Sequence, residues 1–310
     1  MLNNSIRILN FDDSILQQKR LLQQFKFNIV DFKDLGPQAR YFSTFKTRNI
    51  IERRIRDSEK NSLTFLGSGD FHHISEILIS RFDEPMSVIM FDFHPDWDTS
   101  PPRYGCGSWV TEVLKKKNNI SKFILLGVSS SDLKSFGINR GYLAPLKDNR
   151  VEIYPYAHAP SRTFLKKVPQ NVSVKVKRGI FFNTIYWQEL KNKDFADFFQ
   201  DLLKRIPRKD VYVSIDKDCL KNGSALTNWE EGRFSLEEFL LLLKLIKENL
   251  NIVGLDITGD YSPILVRGLF KRIASYLDHP KDIKAYHLDE ASITALNEET
   301  NLKILKLISS

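Results

Sequence analysis

The run Ser87-Val88-Ile89-Met90 is made of β-forming residues with no regular polar alternation, and such a run belongs on a strand that is covered on both sides. Comparable short runs recur at Leu63 to Leu66, Phe123 to Val128, Val211 to Ile215 and Ile252 to Ile257. Ile6 to Phe11, Ile29 to Phe32, Val151 to Tyr154 and Val172 to Val176 read as further strands. Helical spacing separates them. Phe195, Phe198, Phe199, Leu202, Leu203 and Ile206 form one apolar stripe, and Ser235-Leu236-Glu237-Glu238 is a capping box before a long helix. Other helices are expected over Ile15 to Phe25 with Asp13 or Ser14 as cap, Thr44 to Lys60, Ile74 to Phe82, Trp109 to Lys117 and Ile264 to Leu277. Strands alternating with amphipathic helices predict an α/β fold, a mainly parallel sheet covered on both faces. At 310 residues, with no linker or repeat, one domain over residues 1–280 is expected. The weaker patterning of residues 281–310 predicts a C-terminal appendage.

Bulk properties exclude several classes. The richest apolar run, Phe239 to Leu243, is far too short to cross a bilayer, so no membrane partner is expected. The first residues lack the basic-then-apolar pattern of a secretory signal, and Cys106 and Cys219 give no disulfide framework. Together these predict a cytoplasmic protein. The net charge of +8 is spread along helices and interleaved with acids; Lys115-Lys116-Lys117 is the longest basic run. Without a recognisable nucleic-acid-binding signature, that charge equally suits an acidic peptide.

The chemistry concentrates where strands end. After Met90 the chain reads Phe91-Asp92-Phe93-His94-Pro95-Asp96-Trp97-Asp98. With period-two alternation Asp92, His94 and, if the chain stays extended, Asp96 share one side. Two carboxylates and an imidazole at the end of a buried strand need a cation among them. Three more strand ends carry the same residue types: Gly69-Asp70-Phe71-His72-His73, Asp216-Lys217-Asp218, and Asp260 ahead of Pro263. Each alone has an ordinary explanation, a solvated turn for Asp-x-Asp or a packing role for a lone histidine. Four strand ends on the face where open α/β sheets bind ligands are a stronger signal. Oxygen ligands with some imidazole suit Mn²⁺ or a similar divalent ion, and their number suits two ions sharing carboxylates.

Asp-x-His-x-Asp, a later Ser-x-Asp-x-Asp and an upstream Gly-Asp followed by histidine together resemble the arginase (ureohydrolase) superfamily over about residues 63–278. The resemblance implies a three-layer α/β/α sandwich and a dinuclear manganese centre in a hydrolase of guanidino C–N bonds in linear amidines. It implies one Mn²⁺ held by His72 or His73 with Asp92, Asp96 and Asp216, and another by His94 with Asp92, Asp216 and Asp218. Asp92 and Asp216 are then the bridging ligands, and Asp260 stands where the family pairs with guanidinium. Asp96 and Asp260 are the expected catalytic residues, and Trp229, Glu230 and Asp98 are expected at the substrate beside Asp260.

The sequence also departs from the family pattern. One residue is inserted between Asp70 and the histidines, the guanidinium glutamate is an aspartate, and the loop after the anchor strand reads Tyr104-Gly105-Cys106-Gly107-Ser108-Trp109, without a shuttle histidine. This variation resembles an atypical branch containing peptide arginases. It implies conversion of arginine within a peptide to ornithine with release of urea. A small guanidino substrate, or a non-catalytic metal-binding interaction protein, are the alternatives. The expected partners are an arginine-containing peptide or small guanidino compound, with self-association into a homo-oligomer left open.

Overall fold

The computed structural model describes residues 5–280 and 287–310. Eleven strands are present: β1 Ile6–Asn10, β2 Phe27–Asp31, β3 Leu63–Gly67, β4 Met86–Phe91, β5 Ile120–Leu126, β6 Val151–Tyr154, β7 Ser161–Phe164, β8 Val174–Lys177, β9 Phe182–Trp187, β10 Asp210–Asp216 and β11 Asn251–Thr258. Eight of them form one sheet in the order β2-β1-β3-β11-β10-β4-β5-β6. Every pairing in it is parallel.

The absence of regular polar alternation in Ser87 to Met90 is explained by its position near the middle of this sheet. Val88 and Met90 face one core with Ile77, Trp109 and Val113, while Ile89 and Phe91 face the other with Phe199, Phe239 and Ile246. Helices Ile74–Ile79 and Trp109–Lys116 cover the first face; Phe195–Leu203 and Leu236–Asn249 cover the second. The result is the expected α/β/α layering. The capping box at Ser235 forms as read, with Ser235 and Glu238 each accepting the other's backbone N–H.

Three expectations shift. The first helix covers only Lys19–Gln24, because Asp13 takes a left-handed φ of 62° and the Asn10 and Asp12 side chains accept N–H groups of Asp13 and Ser14 in a turn. The helix expected from Ile264 begins at Leu269, after Gly268 at φ 103°. The C-terminal stretch does not hang free. Glu290–Ser309 is a helix capped by Asp289, and it buries Leu302, Ile304 and Leu305 in the second core. Residues 281–286 of that stretch lie outside the described residues.

Val172 to Val176, read as an ordinary strand, corresponds to β8 in a separate antiparallel sheet of order β7-β9-β8. Among the described residues no helix is long and apolar enough to cross a membrane.

Candidate metal centre

The strand order puts β3, β11, β10 and β4 side by side, so the four polar strand ends emerge together. From β4, the Phe93 N–H donates to Asp218 Oδ1 at 2.9 Å and the His94 N–H to Asp92 Oδ1 at 2.6 Å. From β10, Asp216 Oδ1 accepts the Asp218 N–H at 3.0 Å. The carboxylates are thus fixed by backbone before any ligand arrives.

Two groups of ligand-type atoms result: His72, Asp92 and Asp216 form one, and Asp92, His94 and Asp218 form the other. Within the first, His72 Nδ1 lies 3.0 Å from Asp92 Oδ2, 3.2 Å from Asp96 Oδ2 and 3.6 Å from Asp216 Oδ2. Within the second, His94 Nδ1 lies 2.9 Å from Asp218 Oδ2 and 3.7 Å from Asp92 Oδ1. Asp92 belongs to both groups. Asp216, expected as a second bridge, belongs to one.

The choice between the two histidines is decided by geometry. His72 Nε2 meets Ser214 Oγ at 2.9 Å; that hydroxyl donates its proton to Asp256 Oδ1 at 2.7 Å, so it accepts from His72. The other oxygen of Asp256 accepts from Tyr212 Oη at 2.7 Å. This relay inside the sheet fixes the ring and leaves Nδ1 aimed at the carboxylates. His73 turns the other way, with its Nε2 2.9 Å from Ser43 Oγ, and it does not line the cavity. Burial, with Lys271 nearby, lowers its pKa to about 3. His73 thus points away from the carboxylate cluster.

Asp96 does not continue the extended chain. Its φ is 46°, and its Oδ2 accepts the Trp109 indole N–H at 2.6 Å beside His72.

Asp260 departs furthest from expectation. Gly259 takes φ 87° and turns the chain after β11, and Asp260 points below the floor of the cavity. There its Oδ1 lies 2.8 Å from Lys217 Nζ and accepts from Gln18 Nε2 at 2.7 Å and Asn301 Nδ2 at 3.2 Å. It is buried in an ion pair with Lys217 and does not line the cavity.

The electrostatics call for cations. Burial, then the Asp92 charge, raises Asp96 to about 6 and Asp218 to about 7. Burial, Asp218 and Asp92 push Asp216 well up. The carboxylates in turn outweigh burial and raise His72 and His94 well above the ordinary imidazole range. His72 Nδ1 and Asp92 Oδ2 are fully buried 3.0 Å from each other with no partner outside the cluster, as expected of groups prepared to share an ion. A side chain at Gly69 would bring its Cβ within 2.9 Å of Asp216 Oδ2 and 3.1 Å of Trp229, so a glycine is needed where the chain passes this close. The donor set fits two divalent ions.

Above the centre lies a cavity of about 230 Å³. Trp229, Glu230 and Asp98 all line it, as do three residues that carried no sequence signal, Asp132, Arg140 and Asp278. Asn228 pins the Trp229 loop by bonding Ser68 Oγ and both backbone groups of Ser262. Glu230 Oε2 lies 3.2 Å from His94 Nε2; burial raises the Glu230 pKa, but His94 more than offsets it and holds the carboxyl below its usual range. Asp98 is engaged by Arg140.

Behind Trp229, His279 stacks at 4.4 Å between ring centroids, with its Nε2 2.7 Å from Asp70 Oδ1. Asp70 also accepts from Arg40 at 2.7 Å. Burial favours the neutral acid, yet His279 and Arg40 win and lower Asp70 to about 2. No spacing ties His279 to the metal motifs, so only the fold reveals it.

Comparison with known proteins follows this geometry. The chain is 26% identical over 269 residues to an uncharacterized protein of Thermotoga maritima, covering 85% of this chain and 83% of that one. Among solved structures it resembles proclavaminate amidino hydrolase from Streptomyces clavuligerus, with TM-score 0.59 and 14% identity, over 100% of this chain and 93% of that one. It also resembles Entamoeba histolytica arginase in complex with L-ornithine, with TM-score 0.60 and 12% identity, over 99% and 98% of the two chains. At these identities the structural likeness speaks for the fold. The Arginase family model matches residues 14–268. Because that match spans well over half of the sequence, the chain belongs to the arginase family, metal-dependent hydrolases of amidine C–N bonds.

Proposed function

We propose that this protein hydrolyses the guanidino group of arginine held within a peptide, using two Mn²⁺ ions, to give ornithine and urea. The observation that carries the reading is the pair of ligand groups sharing Asp92 at the floor of a cavity walled by acids. His72, Asp92 and Asp216, with Asp96 beside them, would hold one ion, and Asp92, His94 and Asp218 the other. Bound there, divalent ions supply the Lewis acidity that lets water act as a nucleophile at neutral pH.

The chain's own residues do the rest. Glu230, Asp132 and Asp278 place negative charge around the cavity, which draws in a cationic guanidinium and disfavours neutral competitors. Trp229 offers a ring face to the same cation. In the overall step water adds to the guanidino carbon, the bond to the side-chain nitrogen breaks, and that nitrogen receives a proton and leaves as the ornithine amine. Trp229 screens the His279–Asp70 pair from the cavity, so Glu230, bonded to His94, is the best-placed group to handle a proton at the departing nitrogen.

A peptide substrate is supported by what surrounds the cavity. None of residues 99–105 lines it, and Asp98 is neutralised by Arg140. Free arginine carries an α-amino and an α-carboxyl group that need partners; a peptide-bound arginine does not. The test is urea release by the Mn²⁺-loaded protein from an arginine-containing peptide, free arginine and agmatine. Release from the peptide with ornithine in the product is expected. Release from free arginine or agmatine alone would assign a small guanidino substrate, and release from none would end the hydrolase reading.

A further inference from the structure

Residues 153–188 contain six of the chain's Lys and Arg residues, Arg162, Lys166, Lys167, Lys175, Lys177 and Arg178, and no Asp or Glu. This stretch therefore carries six positive charges of a chain whose net charge is +8. It folds as the β7-β9-β8 sheet. The inner face buries Thr163, Val174, Ile185 and Trp187. Period-two alternation sends Arg162, Phe164, Lys175, Lys177, Phe182 and Tyr186 outward.

Register builds a continuous surface from them. Arg162 and Lys177 both stand opposite Thr184, Lys175 opposite Tyr186, and Phe164 opposite Phe182 with their rings 5.5 Å apart. Phe182 is 57% exposed and Ile180, in the adjoining turn, 88%. A hollow of about 470 Å³ opens on this face between Arg162, Lys177, Arg178 and Tyr186. Among the described residues none of the six cations has a carboxylate partner.

The sheet is tied to the catalytic cavity. Ser161 Oγ donates to Leu133 O, Ser135 Oγ donates to Arg162 O, and Lys166 Nζ donates to Asn139 O at 2.9 Å. The helix Ser135–Arg140 that β7 packs on contributes Gly137 and Arg140 to the cavity wall. One side of this wall thus faces an acidic cavity, and the other is basic, aromatic and open.

We infer that the outer face of β7-β9-β8 docks an acidic segment of the same peptide whose arginine enters the cavity. The inference rests on the peptide-arginine reading. Charge complementarity selects the occupant, because only a ligand with anionic and cationic parts satisfies both regions. A nucleic acid satisfies the sheet alone and is repelled by the carboxylates at the cavity.

The experiment uses the full chain loaded with Mn²⁺ and two synthetic peptides, each with one arginine, one preceded by a run of glutamates and the other by glutamines. Binding is read by fluorescence anisotropy and turnover by urea. The glutamate peptide is expected to bind roughly tenfold tighter and to show a correspondingly lower KM. Combined Arg162→Glu, Lys177→Glu and Arg178→Glu should erase that difference and leave metal content and turnover of the glutamine peptide unchanged. Equal binding of both peptides, insensitivity to the triple variant, or tighter binding of a single-stranded oligonucleotide than of the glutamate peptide overturns the docking surface. If neither peptide yields urea while the glutamate peptide still binds and the triple variant does not bind it, the docking surface stands and the peptide-arginine reading falls.

Discussion

The acidic cavity and the basic sheet are charged by opposite means. At the cavity, carboxylates at the ends of β4 and β10 are buried, held by backbone N–H groups and forced within reach of each other, so burial and the Asp92 charge raise the pKa of Asp96, Asp216 and Asp218. On the β7-β9-β8 sheet, cations stand in solvent without a carboxylate partner among the described residues. Buried like charges store a strong demand for a counter-ion; exposed ones set up a weak, screened field. The first arrangement suits tight metal binding and the second a reversible partner.

The largest effect should come from the carboxylate common to both ligand groups. Asp92→Asn is expected to lower urea release by ~10³-fold or more and to lower the metal content measured on the purified protein. A variant that keeps both ions and full turnover would break the assignment. Next is the pair beneath the floor. Lys217→Met leaves Asp260 charged and buried without its partner, and should destabilise the fold by ~3–5 kcal/mol in denaturant unfolding. Turnover per metal-loaded molecule should change little. Lost turnover with unchanged stability would bring Asp260 back into the chemistry.

The pH dependence sharpens the contrast. Asp96 and Asp218 hold protons up to about 6 and about 7, and a protonated carboxyl competes with metal. Mn²⁺ affinity measured by calorimetry should therefore rise by ~10-fold or more between pH 6 and 8 and fall as acid restores those protons. In the metal-free protein the sign is reversed for stability. Groups whose pKa is raised on folding bind protons more tightly when folded, so the melting temperature without metal should fall as pH rises from the ordinary carboxylate value of 3.8 through about 6 for Asp96 and about 7 for Asp218. A flat affinity profile would show that the carboxylates are not crowded as described. Gly259→Ala is expected to cost ~1–3 kcal/mol, since φ 87° disfavours any side chain and the new Cβ would meet Asp216 Oδ1 at 2.4 Å. The smallest effect belongs to the exposed region: adding salt to ~0.5 M should weaken the glutamate peptide's advantage a few-fold, with metal content unmoved.

The middle of the main sheet was legible because its strands are buried on both faces and leave apolar runs, as in Val88 to Phe91. The clustering of Asp92, His94, Asp216 and Asp218 was legible for a related reason, since a strand end fixes where its last side chains go. Two features hid from sequence. Glu290–Ser309 buries Asn297, Glu298, Thr300 and Asn301, so its inner face reads as polar, although Asn297 bonds the backbone of Leu226 and Glu298 accepts from the Leu21 N–H. Asp260 carries a carboxylate at a strand end like the others, but the Gly259 turn and a buried lysine redirect it, and no spacing rule contains that turn. The choice between His72 and His73 depended on a hydroxyl from β10, far away in sequence.

The relay from Tyr212 through Asp256 and Ser214 runs inside β10 and β11 and meets His72 in the turn that follows β3. Half of the reactive machinery is thereby written into the least changeable part of the molecule. Substitutions in surface segments such as 99–104 or 178–181 leave that relay untouched, so the chain can change what meets its surface without disturbing the ring of His72.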